Sequence, residues 1–201
     1  MKKSIVNYSN TKIKNNLKRW IHAAQDEDFK SGLGWYKDAQ EFCQYLSKKY
    51  DLDTYTCATV VSCLSPNNKW DRNKVDAEAV IVAHKNGIDP GSIKVCTYTK
   101  NKLKAFRCLE GEMISETAPK THAFAMNVGK LSSDHVTIDK WHLRACMIRP
   151  EEGVQPCAET LTAKQYRRVE RLTSELAKEY NYKGYEFQAI LWVAIKNKWN
   201  R

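Results

Sequence analysis

The chain has 201 residues, with 33 Lys and Arg against 23 Asp and Glu, for a formal net charge of +10. That length fits one large domain or two small lobes, and a 42% hydrophobic fraction with six tryptophans excludes wholesale disorder. No run approaches the roughly 18 apolar residues of a bilayer span, and the basic excess favours a polyanion partner, nucleic acid before an anionic membrane surface.

The start, "MKKSIVNYSN", is basic but has no apolar core segment. It therefore argues against a secretory signal and for a cytoplasmic protein, in the host cell if phage-encoded. Residues 12–24 place Ile13, Leu17, Trp20 and Ile21 on one helical stripe, and residues 38–50 do the same with Phe42, Leu46 and Tyr50. "TYTCATVVSCL" (54–64) is apolar nearly all round and reads as a buried helix, although its β-branched content also allows a strand. Pro66 cannot continue that helix.

Residues 71–87 run helically to Gly87, which suits the position just past a helix end. "IDPGS" (88–92) is a turn, and residues 99–112 form a short amphipathic helix. In 116–130, Pro119 sits where a first helical turn accepts it. Val136, Thr137 and Ile138 lead into Asp139 at the mouth of another helix. "RPEEGVQPCAE" (149–159), with Pro150 and Pro156, reads as a linker. "TAKQ" (162–165) is a capping box opening a helix that carries Tyr166, Val169, Leu172, Leu176 and Tyr180, and 185–199 is the last helix. The expected fold is all-α with about nine helices.

The seven cysteines are widely spaced and contain no CxxC. They read as reduced thiols rather than a disulfide framework, a zinc site or an iron–sulfur site. His122, His135 and His142 have no metal-ligand spacing with nearby acids, so neither a metal nor a cofactor is expected. Trp35, Trp141 and Trp192 read as core.

Asp139 has two compatible readings. An aspartate at a helix start accepts orphan backbone N–H groups, and a fixed anion also stabilises a developing cation such as a sugar oxocarbenium ion. Lys120, beside Pro119, is a solvated lysine, a phosphate anchor or a nucleophilic amine. The polar break "LSPNNKWDRN" (64–73) is either an ordinary turn or a set of groups able to enter an opened base stack: Ser65, Asn67, Asn68, Lys69 and Trp70.

Three segments together resemble the helix-hairpin-helix DNA glycosylase superfamily, the endonuclease III-like group. "VVSCLSPNNKWDRNKVDAEAV" (60–80) looks like its apolar helix, polar turn and following helix. "KNKLKAFRCL" (100–109) is similar to the short helix that comes next. "APKTHAFAMNVGKLSSDHVTIDKWHLRA" (118–145) is similar to its lysine-to-aspartate region. Small phage members of the group also pair "VTID" with a terminal helix like Gln188–Ile190–Trp192–Ala194.

The resemblance implies two helical lobes with a cleft between them, 54–130 forming one and 1–53 with 131–201 the other. It implies Asp139 as the catalytic aspartate and Lys120 as the lyase lysine, with Ser65, Asn67 and Arg144 at the DNA; Asn68, Lys69 and Trp70 of the polar break, and His142, one place past the family's histidine position that Trp141 occupies, complete the expected DNA contacts. The implied partner is duplex DNA with an extruded nucleotide, met by a monomer with no obligate protein partner and no membrane.

The hairpin is degenerate: "ISETAPK" (114–120) lacks the glycines that bring backbone amides to a phosphate, and no iron–sulfur cysteines are present. The implied activity is cleavage of the N-glycosidic bond of a damaged or modified base, with or without a lyase step. Two alternatives stay open. One is a phage transferase that hypermodifies an activated 5-hydroxymethyluracil in DNA; the other is a non-catalytic DNA-binding protein.

Overall fold

The computed structural model describes residues 3–153, 157 and 160–199. Among them are nine α-helices and no strands, apart from an isolated parallel bridge between Lys3 and Cys157. No described helix is long and apolar enough to cross a membrane.

The chain divides into two compact units, residues 1–37 with 132–201 and residues 38–131. The first boundary falls inside a helix. Helix α2 (Asp26–Tyr50) is 25 residues long, so the amphipathic stretch at 38–50 is only its second half.

In the first unit, α1 (Asn10–Ala23), α7 (Lys140–Met147), α8 (Ala163–Glu179) and α9 (Gly184–Trp199) pack together. Ile13, Leu17 and Trp20 of α1 are fully enclosed, as the stripe requires. Asn16 Nδ2 donates to Cys146 O at 2.9 Å and Trp20 Nε1 to Ile148 O at 2.6 Å, so α1 satisfies the orphan carbonyls at the end of α7. Thr162 and Gln165 form the expected capping box of α8. Two glycines let α9 come close. A Cβ at Gly32 would lie 2.6 Å from Ile190 Cα, and one at Gly184 would lie 2.6 Å from Val136 Cγ2.

In the second unit, α3 (Thr54–Leu64) is central and packs on α4 (Trp70–Lys85), α5 (Thr99–Leu109) and α6 (Pro119–Val128). Residues Cys57 to Leu64 are all buried, which settles the β-branched stretch as a core helix. Helix α4 ends as expected: Gly87 takes φ 65°, its N–H bonds His84 O, and Ile88 N–H bonds Ala83 O. "DPGS" forms one 3₁₀ turn capped by Asp89.

The stretch read as a linker is tied down over its described part. Arg149 N donates to Glu152 at 2.8 Å, and Lys3 and Arg19 pair with Glu152 and Glu151. Residues 154–156 and 158–159, Pro156 among them, lie outside the described residues. No disulfide joins the seven cysteines.

Candidate active site

The approach to Asp139 is built by α8. Tyr166 Oη donates to Val136 O at 2.8 Å and accepts from Ile138 N at 3.0 Å, while Glu170 accepts from Val136 N at 2.9 Å. The β-branched run is buried, with its backbone clamped in an extended form that delivers Asp139 to the start of α7.

Asp139 Oδ1 accepts from Trp141 N at 3.0 Å and His142 N at 2.8 Å. It is an N-cap in the strict sense. Its other oxygen, Oδ2, accepts from the indole Nε1 of Trp192 at 3.1 Å. The carboxylate is therefore held at both oxygens, at the positive end of the α7 dipole where negative charge is favoured, and the residue is only half-buried.

Helix α9 supplies the surroundings. Gln188, Trp192 and Lys196 recur at intervals of four and share a face. Gln188 Oε1 lies 3.3 Å from the Tyr36 hydroxyl, which is also 3.3 Å from Thr137 Oγ1. Burial is the main cause that raises the Tyr36 pKa. Lys196 Nζ stands 3.8 Å from the centre of the Trp192 ring. Desolvation lowers the pKa of that amine and outweighs the opposing attraction of Asp139.

Trp35 lies 6.2 Å from Trp192 and edge-on to Tyr36 at 4.8 Å. Trp35, Trp141 and Trp192 are all half-buried, not core as their size suggests. Trp192 needs an acceptor for its N–H, and Asp139 provides it at the rim. Arg144 stacks on Trp141 and Trp199, its guanidinium carbon 4.5 and 5.4 Å from the ring centres.

His142 does not lie at a surface that DNA could reach. It is 0% exposed, because the third position after the cap points inward. Its Nε2 lies 2.8 Å from Thr173 Oγ1, and that hydroxyl donates to Val169 O at 2.9 Å. The hydroxyl hydrogen is thus committed, so Nε2 carries the ring proton. The buried Nδ1 then presents a lone pair with no partner among the described residues. Burial lowers the His142 pKa to about 3.

The remaining candidates belong to the second unit. Asn68 is occupied: Nδ2 donates to Leu64 O at 3.3 Å and to Asp76 Oδ2 at 2.9 Å. Asp76 is 1% exposed, and Arg72 and the Cys96 amide also donate to it, so Asn68 serves that buried carboxylate and not a base stack. Ser65 Oγ bonds Ser62 O at 2.9 Å. Trp70 is half-buried, edge-on to Phe42.

Asn67 is exposed at φ 57° and bonds the Tyr98 hydroxyl, while Thr97 Oγ1 bonds Pro66 O at 2.8 Å. These bonds join the starts of α4 and α5. Ser62 Oγ bonds Thr121 O at 2.6 Å, which brings the start of α6 to the same end of α3. Exposed Lys69, Lys100 and Lys120 stand at these three starts, none of which has a side-chain cap. Asp139 and Lys120 thus lie in different units.

Among the described residues, no group of three His, Cys, Asp or Glu is placed to hold a metal ion. Two open surface hollows, one at Tyr45 and Lys49 and one at Lys14 and Arg171, are lined by none of the candidates.

One protein family matches residues 1–199, and its description is Family of unknown function (DUF7178). The chain belongs to that family. No curated protein and no solved structure matches it. Sequence reasoning reached Asp139 through its N-cap position but missed Trp35, Trp192 and Lys196. The spacing of Gln188, Trp192 and Lys196 was the available signal.

Proposed function

We propose that this protein acts on DNA by breaking the N-glycosidic bond of a modified or damaged nucleotide held beside Asp139. The observation that carries this reading is the Asp139 carboxylate, held by two backbone amides on one oxygen and the Trp192 indole on the other. As the C1′–N bond lengthens, its electrons move to the base, which takes up a proton, and positive charge develops on the sugar ring. A carboxylate already held in place stabilises that charge without reorganising. Trp192, half-buried and bonded to Asp139, brings an aromatic ring to the carboxylate, and unstacked bases stack on aromatic rings.

Lys69, Lys100 and Lys120 support the DNA partner. Uncapped helix starts present backbone N–H groups and a positive dipole end, and a lysine in the same turn adds a charge suited to phosphate. Resemblance to helix-hairpin-helix glycosylases in "KTHAF" and "VTIDKWHLRA" favours the same reading. Similarity of fold alone would not establish it.

The test is incubation with duplexes carrying a panel of damaged and hypermodified bases, read by mass spectrometry. Free base and an abasic strand are the expected products, absent with Asp139→Asn. A gain of mass on the base would replace the reading with a transferase. Binding with no change in any duplex would leave a DNA-binding protein.

A further inference from the structure

Asp139 is held at both oxygens, and the donor at Oδ2 is a side chain with a cation of its own. Trp192 Nε1 donates to Oδ2 at 3.1 Å, and Lys196 Nζ stands 3.8 Å from the centre of the same indole. Both side chains rise from α9 four residues apart, so the pitch of the helix brings the ammonium over the ring. Lys196 makes no hydrogen bond or ion pair among the described residues, and its charge is spent on the ring face. Desolvation there weakens the amine as a base, while the ring face and the Asp139 charge both favour its ammonium form.

We infer that Lys196 is a positioning residue for Asp139 and acts through Trp192. A cation over an indole draws π density toward itself and leaves the N–H proton barer, so the N–H becomes a stronger donor. The acceptor at the other end is a carboxylate, which makes the bond charge-assisted. Lys196 therefore tightens the bond that fixes Oδ2. The ring also holds the two charges apart. An ammonium in direct contact would pair with the carboxylate and offset the charge that a developing sugar cation needs. Set behind the indole, it strengthens the grip on Oδ2 without occupying the carboxylate. The inference rests on the proposed action at Asp139 and adds the group that orients it.

The experiment uses the full chain with isotope-labelled indole nitrogens, followed by NMR. Trp192→Phe identifies the N–H resonance of Trp192. Lys196→Met keeps the stem and removes the charge. It should move that resonance upfield, in the direction that Asp139→Asn moves it, while the Trp20 indole, bonded to Ile148 O, stays in place as the check on folding. Lys196→Arg returns a cation to the ring and should bring the resonance back toward its parental position. On the modified-base panel, Lys196→Met should slow base release about tenfold with little change in KM, on the scale of losing the charge assistance of one hydrogen bond. Added to Trp192→Phe, it should cost nothing further. A Trp192 resonance unmoved by Lys196→Met overturns the inference. So does a tenfold loss that persists in the Trp192→Phe background, because the charge would then act directly and not through the indole. The expected NMR changes with no base release from any duplex remove the glycosidic reading and leave the link from Lys196 through Trp192 to Asp139 standing.

Discussion

In the first unit, α1, α7 and α8 begin with Ser9, Asp139 and Thr162, each accepting a backbone N–H of its own helix. In the second, α3 begins the same way with Asp53, but α4, α5 and α6 begin with Lys69, Tyr98 and Ala118 and have no side-chain cap. Helices α5 and α6 also carry no acid in their first turns. N–H groups left without a side-chain cap at an exposed helix start are met by water or by an anion from outside, and a lysine in the same turn favours the anion. The first unit therefore closes three of its helix starts with its own side chains and fixes an anion at one of them. The other leaves three starts open for an external anion. Under the proposed function, these are a sugar-facing charge and a phosphate-facing edge.

The sharpest way to break this contrast is to neutralise the fixed anion without removing the cap. Asn is as good an N-cap as Asp, so Asp139→Asn should keep α7. It places an amide where Trp192 needs an acceptor, and it removes the charge. Turnover should fall by at least about 100-fold, on the scale of losing one preorganised electrostatic group. Duplex affinity should change little, because the proposed phosphate contacts lie in the second unit. Single-turnover base release and a binding titration would check this. Undiminished turnover would reduce Asp139 to a structural cap.

The second expectation concerns acid stability and sets the first unit apart. His142 is enclosed and neutral, with its pKa lowered by burial to about 3, against about 6.5 for an unfolded chain. Between these values the unfolded state binds a proton that the fold refuses. Stability therefore falls as pH drops below about 6.5 and is unaffected by this group above it. The loss between pH 7 and pH 5 should be about 2 kcal/mol. In His142→Gln that part of the slope should vanish. Urea unfolding at the two pH values measures it, and an unchanged slope would mean that His142 titrates normally.

The helices were legible in the sequence because their signals are local. Pro119, Gly87, the Thr162–Gln165 pair and the all-apolar 54–64 run each fix a boundary through a few neighbouring dihedrals. Asp139 was legible for the same reason. What lay out of reach depended on elements far apart in the chain. Asn68 looked available until Asp76, on α4, required a donor. His142 was expected at the DNA, but the pitch of α7 turns it inward onto Thr173 of α8. Trp35 and Trp192 looked like core, yet Gly32 and Gly184 draw α9 inward at Ile190 and Val136, and the Trp192 indole N–H donates to Asp139 at the rim. Lys196 has no signature except its spacing from Trp192.

A smaller effect isolates the cap itself. Asp139→Ala removes both the charge and the acceptor for the Trp141 and His142 amides, so it should cost about 1 kcal/mol more than Asp139→Asn. Thermal or urea unfolding of the pair gives the difference. Equal stabilities would show that α7 is held by α1 and α9 without its cap.

The smallest single effects belong to the open helix starts. If Lys69, Lys100 and Lys120 each meet one phosphate, replacing any one with Ala should reduce the magnitude of the slope of log affinity against log salt by about 0.9. Each loss should be similar for every duplex sequence, since phosphate contacts carry no base information. Replacing all three should lower it by about 2–3. The same substitutions should not destabilise the fold, and relieving a cation at a positive dipole end should stabilise α5 and α6 by a few tenths of a kcal/mol, on the order of the surface dipole effect. Gain of stability together with loss of salt dependence is the combination that marks these ends as binding groups. A lysine whose removal alters neither is a solvated side chain, and the contrast between the two units would then rest on Asp139 alone.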